Sequence, residues 1–251
     1  MIVKQKGGIK TTLKIGITID WDYFSDSDIF DYGHRENQFF REFMWNSRLQ
    51  GNPGLVDEFK MEDYKAFVDK LKEIKLLPKV IWVSDSHLYA AIVFTSFKPD
   101  IIINFDSHHD MYLIKEKYIS CENWAVESLK RRKKLQYIWV RPAWVKEADG
   151  IPKDFIDRVK SCHLDELEHL LPESYDMTIS HACRSGSWMP PWLDDKFDEF
   201  LKLTKAILTM DQDDPPAKRT YHVPTPEEFA DYRKKIEMIF NEQKQRDAER
   251  I

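Results

Sequence analysis

Cysteine is scarce in this chain of 251 residues: only Cys121, Cys162 and Cys183 occur, and at no short spacing. An odd, scattered set is neither a disulfide framework nor a structural zinc site, so the thiols are expected as small buried fillers in a reducing cytoplasm. A basic excess is missing as well. Lysine and arginine total 38 against 43 acids, a formal net charge of -5, which is not the balance of a general nucleic-acid binder. No apolar run approaches the length of a membrane-spanning helix, and no membrane partner is expected. The opening MIVKQKGGIKTTLK is basic but lacks the apolar stretch and cleavage site of a secretory signal. Repeats, low-complexity linkers and composition breaks are also lacking, so residues 1–251 are expected to form one domain.

What the chain does have is apolar residues, 42% of the total, in strong runs. Strands are expected at 13–22, 79–84, 100–106, 135–141 and 175–180, where β-branched and aromatic residues cluster. Helical spacing marks 61–77, 87–97 and 122–134, and helices are also expected at 153–160 and 191–207. The last helix, about 225–249, opens on Thr225-Pro226-Glu227-Glu228, a threonine cap with proline at the first position and glutamate at the third. Alternating strands and helices, with several strands apolar throughout, predict a three-layer α/β/α fold on a mainly parallel sheet. In such sheets the site lies beyond the carboxyl ends of the strands.

Three of the apolar strands run into residues that bind metals. The first ends in Asp20-Trp21-Asp22, the second in Asp85-Ser86-His87, and the third in Asp106-Ser107-His108-His109-Asp110. A parallel sheet would gather these ends. Carboxylates packed so closely repel one another and are costly to desolvate, and a pair of divalent cations relieves both problems. A set of carboxylate and imidazole without thiolate favours a hard ion, manganese or one like magnesium, with zinc and iron as the alternatives. Two ions sharing a carboxylate and a water lower the pKa of that water towards neutrality.

These residues resemble the ureohydrolases, the arginase and agmatinase superfamily, whose fold is shared with histone deacetylases. FDSHHD is similar to their Asp-Ala-His-x-Asp motif, SDSH to the upstream histidine element and TIDWD to the Ser-x-Asp-x-Asp element. IDWDYF, SDSHLYAA, FDSHHD, ENWA and ISHACRSGSWMPPWLD together look like a divergent arginase-like branch that includes peptide arginases of ribosomally made peptide pathways. The likeness spans about residues 15–200. It implies a binuclear manganese enzyme that converts arginine to ornithine within a precursor peptide and releases urea. A hydroxide shared by the two ions would attack the guanidinium carbon. Asp20, His87, Asp106 and Asp110 would hold one ion. Asp22 and His108, with shared Asp20 and Asp106, would hold the other. Asp110 would also move the proton.

The pattern departs from the family in order, because here the D-x-D precedes D-x-H-x-D. Asp211, Asp213 and Asp214 stand in the usual order; Asp20 and Asp22 are preferred because an apolar strand leads into them, whereas KAILTMDQ reads as the end of a helix. Arginase's loop for the free amino acid's carboxylate and amine has no match, which suits a peptide substrate. A guanidinium needs a carboxylate acceptor, and Glu122 and Glu173 are the candidates. His181 is a candidate proton shuttle, with a hydrogen-bonded, partly buried histidine as its other reading. His109 is expected to point away from the metals. Lys130–Lys134 is a solvated helix end or a contact for an acidic leader peptide; Trp188 and Trp192 build a rigid loop or flank the cleft. Two other functions stay open: a one-metal amidohydrolase or deacetylase on the same fold, and a non-catalytic, metal-stabilised binding protein.

Overall fold

The computed structural model describes residues 12–26, 38–113, 118–210 and 214–248. Among these residues the strands are β1 (Leu13–Asp20), β2 (Val80–Ser84), β3 (Ile101–Phe105), β4 (Gln136–Arg141), β5 (Val159–His163), β6 (Tyr175–Cys183) and β7 (Ile207–Met210). They form one sheet in the order β5-β4-β3-β1-β6-β2-β7, and every pairing is parallel. The helices are α1 (Gln38–Gly51), α2 (Leu55–Glu58), α3 (Tyr64–Glu73), α4 (Tyr89–Phe97), α5 (Trp124–Arg131), α6 (Asp194–Thr204) and α7 (Pro226–Ala248). None of the described helices is long and apolar enough to cross a membrane.

Strand alternation builds two cores. Ile101, Ile103 and Phe105 of β3 join Phe67 and Leu71 of α3 and Phe197 and Phe200 of α6 on one face. Ile102, between them, joins Phe94 of α4 and Trp124 and Leu129 of α5 on the other. The expected three-layer α/β/α arrangement follows, because each face of the sheet needs its own apolar cover. Gly16 lets α4 approach: a Cβ there would stand 2.7 Å from the Phe94 ring.

Several boundaries differ from the pattern-based expectation. The helix expected at 61–77 runs only over Tyr64–Glu73; the Asp63 side chain caps it by accepting from the amides of Lys65 and Ala66. The helix expected at 153–160 is a short 3-10 turn, Lys153–Phe155, followed by β5. Pairing with β4 and burial of Val159 and Cys162 outweigh the local pattern there. Residues 207–210, read as a helix tail, form edge strand β7 on β2. β6 runs to Cys183, three residues beyond its expected end, so His181 sits inside the strand. α1 was not anticipated. At the last helix the expected cap is realised in both directions: Thr225 N–H donates to Glu228 at 2.8 Å, and Glu228 N–H donates to Thr225 Oγ1 at 3.2 Å.

Candidate metal centre

β1 lies between β3 and β6, and Ile19 is in register with Phe105. The next residue on each strand is Asp20 and Asp106, so the two acids meet at the carboxyl edge. A 3-10 turn, Trp21–Phe24, then brings Asp22 back beside them, while Trp21 is buried against Phe197 and Phe200. His87 comes from the loop after β2, and His108 and Asp110 from the loop after β3. The N-terminal D-x-D therefore reaches the site although it comes first in the chain, because β1 occupies the middle of the sheet.

Two groups of ligand-type atoms result: Asp20, His87 and Asp106, and Asp22, Asp106 and His108. Asp106 belongs to both. Its Oδ2 is 3.0 Å from His87 Nδ1, and its Oδ1 is 3.6 Å from His108 Nδ1. The carboxylate is held in place by Asn104 Nδ2, which donates to Oδ2 at 3.1 Å, and by the His108 amide, which donates to Oδ1 at 2.8 Å. Asp110 completes the first group, with Oδ2 2.8 Å from His87 Nδ1. Trp124 Nε1 donates to that same Oδ2 at 2.5 Å. Asp110 itself adopts φ +52°, a left-handed backbone that a non-glycine residue keeps only when its surroundings hold it there. Asp22 stands 3.2 Å from His108 Nδ1, and Ser107 Oγ is 2.9 Å from the same nitrogen.

The electrostatics are those of a site short of positive charge. Burial, then the Asp20 and Asp106 carboxylates, push Asp22 up to about 7. Burial and Asp106 raise Asp110 well above the ordinary carboxylate range. Burial works against charge on His87 and His108, yet Asp20 and Asp110 raise the first, and Asp106 and Asp22 the second, well above their usual value. Protons are thus drawn into the cluster. Asp20 Oδ1, both Asp22 oxygens and His87 Nδ1 are buried without a hydrogen bond. Unpaired buried polar atoms are costly, and divalent cations on the two groups would give these residues a partner. The residues present fit such ions.

A cleft of about 410 Å³ opens onto the cluster, lined among others by Arg41, Tyr112, Cys121, Glu122, Ser185 and Trp188. Glu122 is thus in the cleft wall as expected. Glu173 is not: it is exposed just before β6, whose first residue pairs with the first of β1, at the far edge of the sheet. His181 does not reach the cleft either. It is fully buried between Thr18 and Ser84, stacked on His87 at 5.8 Å. Burial, then His87, keep it well below the usual imidazole value, so it is neutral and its place is behind the ligands. His109 points away as expected, packing on Tyr112 and Trp139. Trp188 lies over His108 at 5.3 Å, while Trp192 packs with Trp45, Phe59 and Tyr221. Cys162 and Cys183 are buried fillers; Cys121 is half-buried in the cleft wall.

Asp211 and Asp213 lie outside the described residues. Asp214 pairs with Arg41 at 3.0 Å. Arg41, from α1, was missed by the sequence reading, and so was Ser185. The latter has a φ of +58° and a buried hydroxyl without a partner, in the cleft wall. No short motif marks either residue. No protein-family model, curated protein or solved structure matches this chain.

Proposed function

We propose that the protein is a manganese-dependent ureohydrolase of the arginase type, acting on arginine within a precursor peptide and leaving ornithine and urea. The observation that carries this reading is the pair of buried Asp/His groups joined through Asp106 beneath an open cleft. Asp20, His87, Asp106 and Asp110 would hold one ion, and Asp22, His108 and Asp106 the other. The carboxylate and imidazole donors suit manganese. When bound, such a pair of ions supplies Lewis acidity and brings the pKa of water near neutrality. The second group, Asp22 with His108, is what favours two ions over the one-metal amidohydrolase.

The remaining work falls to the chain. Glu122 in the cleft wall offers a carboxylate to the planar guanidinium fork. Asp110, held by Trp124, takes a proton from the attacking water and returns it to the departing side-chain nitrogen. The water oxygen joins the guanidinium carbon, the bond from that carbon to the side-chain nitrogen breaks, and urea and a primary amine result. Tyr112 and Trp188 flank the cleft as apolar walls for the arginine stem. The exposed Lys133 and Lys134 precede β4, whose first residue pairs with the first of β3 at the edge opposite the cleft, so they stay a solvated helix end rather than a leader contact; three cysteines with no disulfide among them fit a cytoplasmic setting.

The test is incubation of manganese-loaded protein with arginine-containing peptides, reading urea colorimetrically and the arginine-to-ornithine change by mass spectrometry. Asp110→Asn should keep its metal and lose the reaction. Unchanged peptide mass across a broad arginine-peptide library would refute the reading. A folded Asp110→Asn protein with full function would favour the non-catalytic binding protein.

A further inference from the structure

We propose that Ser84, His181 and Thr18 form a one-way hydrogen-bond relay that sets the tautomer of His87, leaving its Nδ1 lone pair aimed at the cation site. The inference rests on His87 being a metal ligand, and is independent of which substrate the centre acts on.

The argument is a count of hydrogens. The carbonyl of Ser86 only accepts, and Ser84 Oγ lies 2.7 Å from it, so the single hydroxyl hydrogen of Ser84 is spent there. The Ser84 oxygen must then accept from His181 Nε2, 2.8 Å away. A neutral imidazole with hydrogen on Nε2 has a bare Nδ1. His181 Nδ1 is 3.0 Å from Thr18 Oγ1 and accepts its hydrogen. Thr18 has no other hydrogen to give, so its oxygen accepts from His87 Nε2 at 2.8 Å. With Nε2 committed to Thr18, Nδ1 is the nitrogen of His87 left for a cation, and it faces Asp20, Asp106 and Asp110 at 3.1, 3.0 and 2.8 Å.

The relay has no rival donors from solvent. Thr18, Ser84 and His181 are each 0% exposed. The sheet supplies its spacing: Thr18 is in register with His181 across β1 and β6, and Ser84 ends the strand on the other side of β6. Partners one step behind a metal-bound histidine fix its orientation and protonation, and losing one typically costs about 10–100-fold in metal affinity. Ser84, His181 and Thr18 are therefore positioning residues. Ser84 orients the relay because its own hydrogen is committed.

Two measurements test this together. Nitrogen-15 NMR of the imidazoles in wild-type protein should find His181 in the Nε2–H tautomer; an Nδ1–H His181 would overturn the relay, and this needs no variant. Calorimetric manganese titration should show Thr18→Val, which keeps shape but not the hydroxyl, binding about 10–100-fold more weakly, with Thr18→Ser restoring affinity. A folded Thr18→Val protein with wild-type affinity would overturn the proposal. A wild-type protein that takes up no manganese would instead overturn the metal-centre premise. If metal binds as described but arginine peptides are untouched, only the proposed substrate fails.

Discussion

Two buried acidic clusters sit within a few residues of each other at the same edge of the sheet, and they are neutralised in opposite ways. In one, Asp85 is met by Arg41 at 2.6 Å and Arg184 at 2.7 Å, Asp214 by Arg41 at 3.0 Å, and Asp194 by Arg184 and Arg219. This is an ion-paired structural lattice that ties α1, the start of α6 and the loop after β6 to β2. Gly186 is part of it: a Cβ there would stand 2.5 Å from Asp85 Oδ2. In the other, Asp20, Asp22, Asp106 and Asp110 have histidines but no arginine or lysine paired with them among the described residues, and three of the oxygens of Asp20 and Asp22 are left without donors. An acid finished with arginine is scaffold. An acid left open beside imidazole could accept a cation from outside. Asp85 and His87 illustrate the split, since they belong to the same tripeptide and serve different clusters.

The comparison is broken most completely at Asp106, which serves both groups. Asp106→Ala should lose manganese and activity together, with metal content falling towards zero by elemental analysis; wild-type metal content in that variant would refute the shared-carboxylate assignment. The arginine-closed cluster should respond in another currency. Asp85→Asn removes the carboxylate that two buried guanidinium groups share, leaving Arg41 with Asp214 and Arg184 with Asp194, and breaking a buried pair typically costs about 3–5 kcal/mol. Urea unfolding should report that loss, while manganese binding in the folded fraction stays close to wild type. If stability were unchanged, the lattice would not be the scaffold described.

The clusters should also differ in their response to pH. Asp22 is pushed up to about 7 by burial and its acidic neighbours, and His87 and His108 are raised as well, so the metal-free centre holds protons that an ion must displace. Manganese affinity should therefore rise as pH climbs through about 7, with protons released on binding. Calorimetry in buffers of different ionisation enthalpy counts those protons, and a pH-independent affinity would contradict the description. Asp85 has the other sign. Burial alone would raise it, but Arg184 and then Arg41 outweigh burial and hold it below its ordinary value of 3.8. Its contribution to stability is present above that value and is lost only as the pH falls through the lowered one. The smallest effect is expected at Lys133→Ala, an exposed residue past the end of α5, where metal content, stability and urea release should all stay at wild-type levels.

Much of the candidate site was legible beforehand because its residues are contiguous with apolar strands. IDWD, SDSH and FDSHHD each follow a run that can only be a buried strand, and parallel strands deliver their carboxyl ends to one edge. The elements that were missed carry weak local signals. β5 and β7 are short edge strands of five and four residues, and three of the four β7 residues are exposed, so neither shows a buried run. Glu173 misled because a strand has two ends: it precedes β6, whereas the site lies after it. His181 looked like a residue beyond a strand end because nothing in YDMTIS marks where pairing stops.

Sequence alone determined which residue types could bind a metal, and that β1, β2 and β3 would present them together, since apolar runs bury and their polar ends cannot. It did not determine which acids remain available. Arg41 and Arg184, which occupy Asp85, lie 44 and 99 residues from it along the chain, and Thr18 and Ser84 enclose His181 from separations of 163 and 97. Charge neutralisation and hydrogen-bond direction act over a few ångströms of space regardless of chain distance. Only the folded sheet could assign one carboxylate to arginine, leave its neighbours open beside imidazole, and place a neutral histidine behind them.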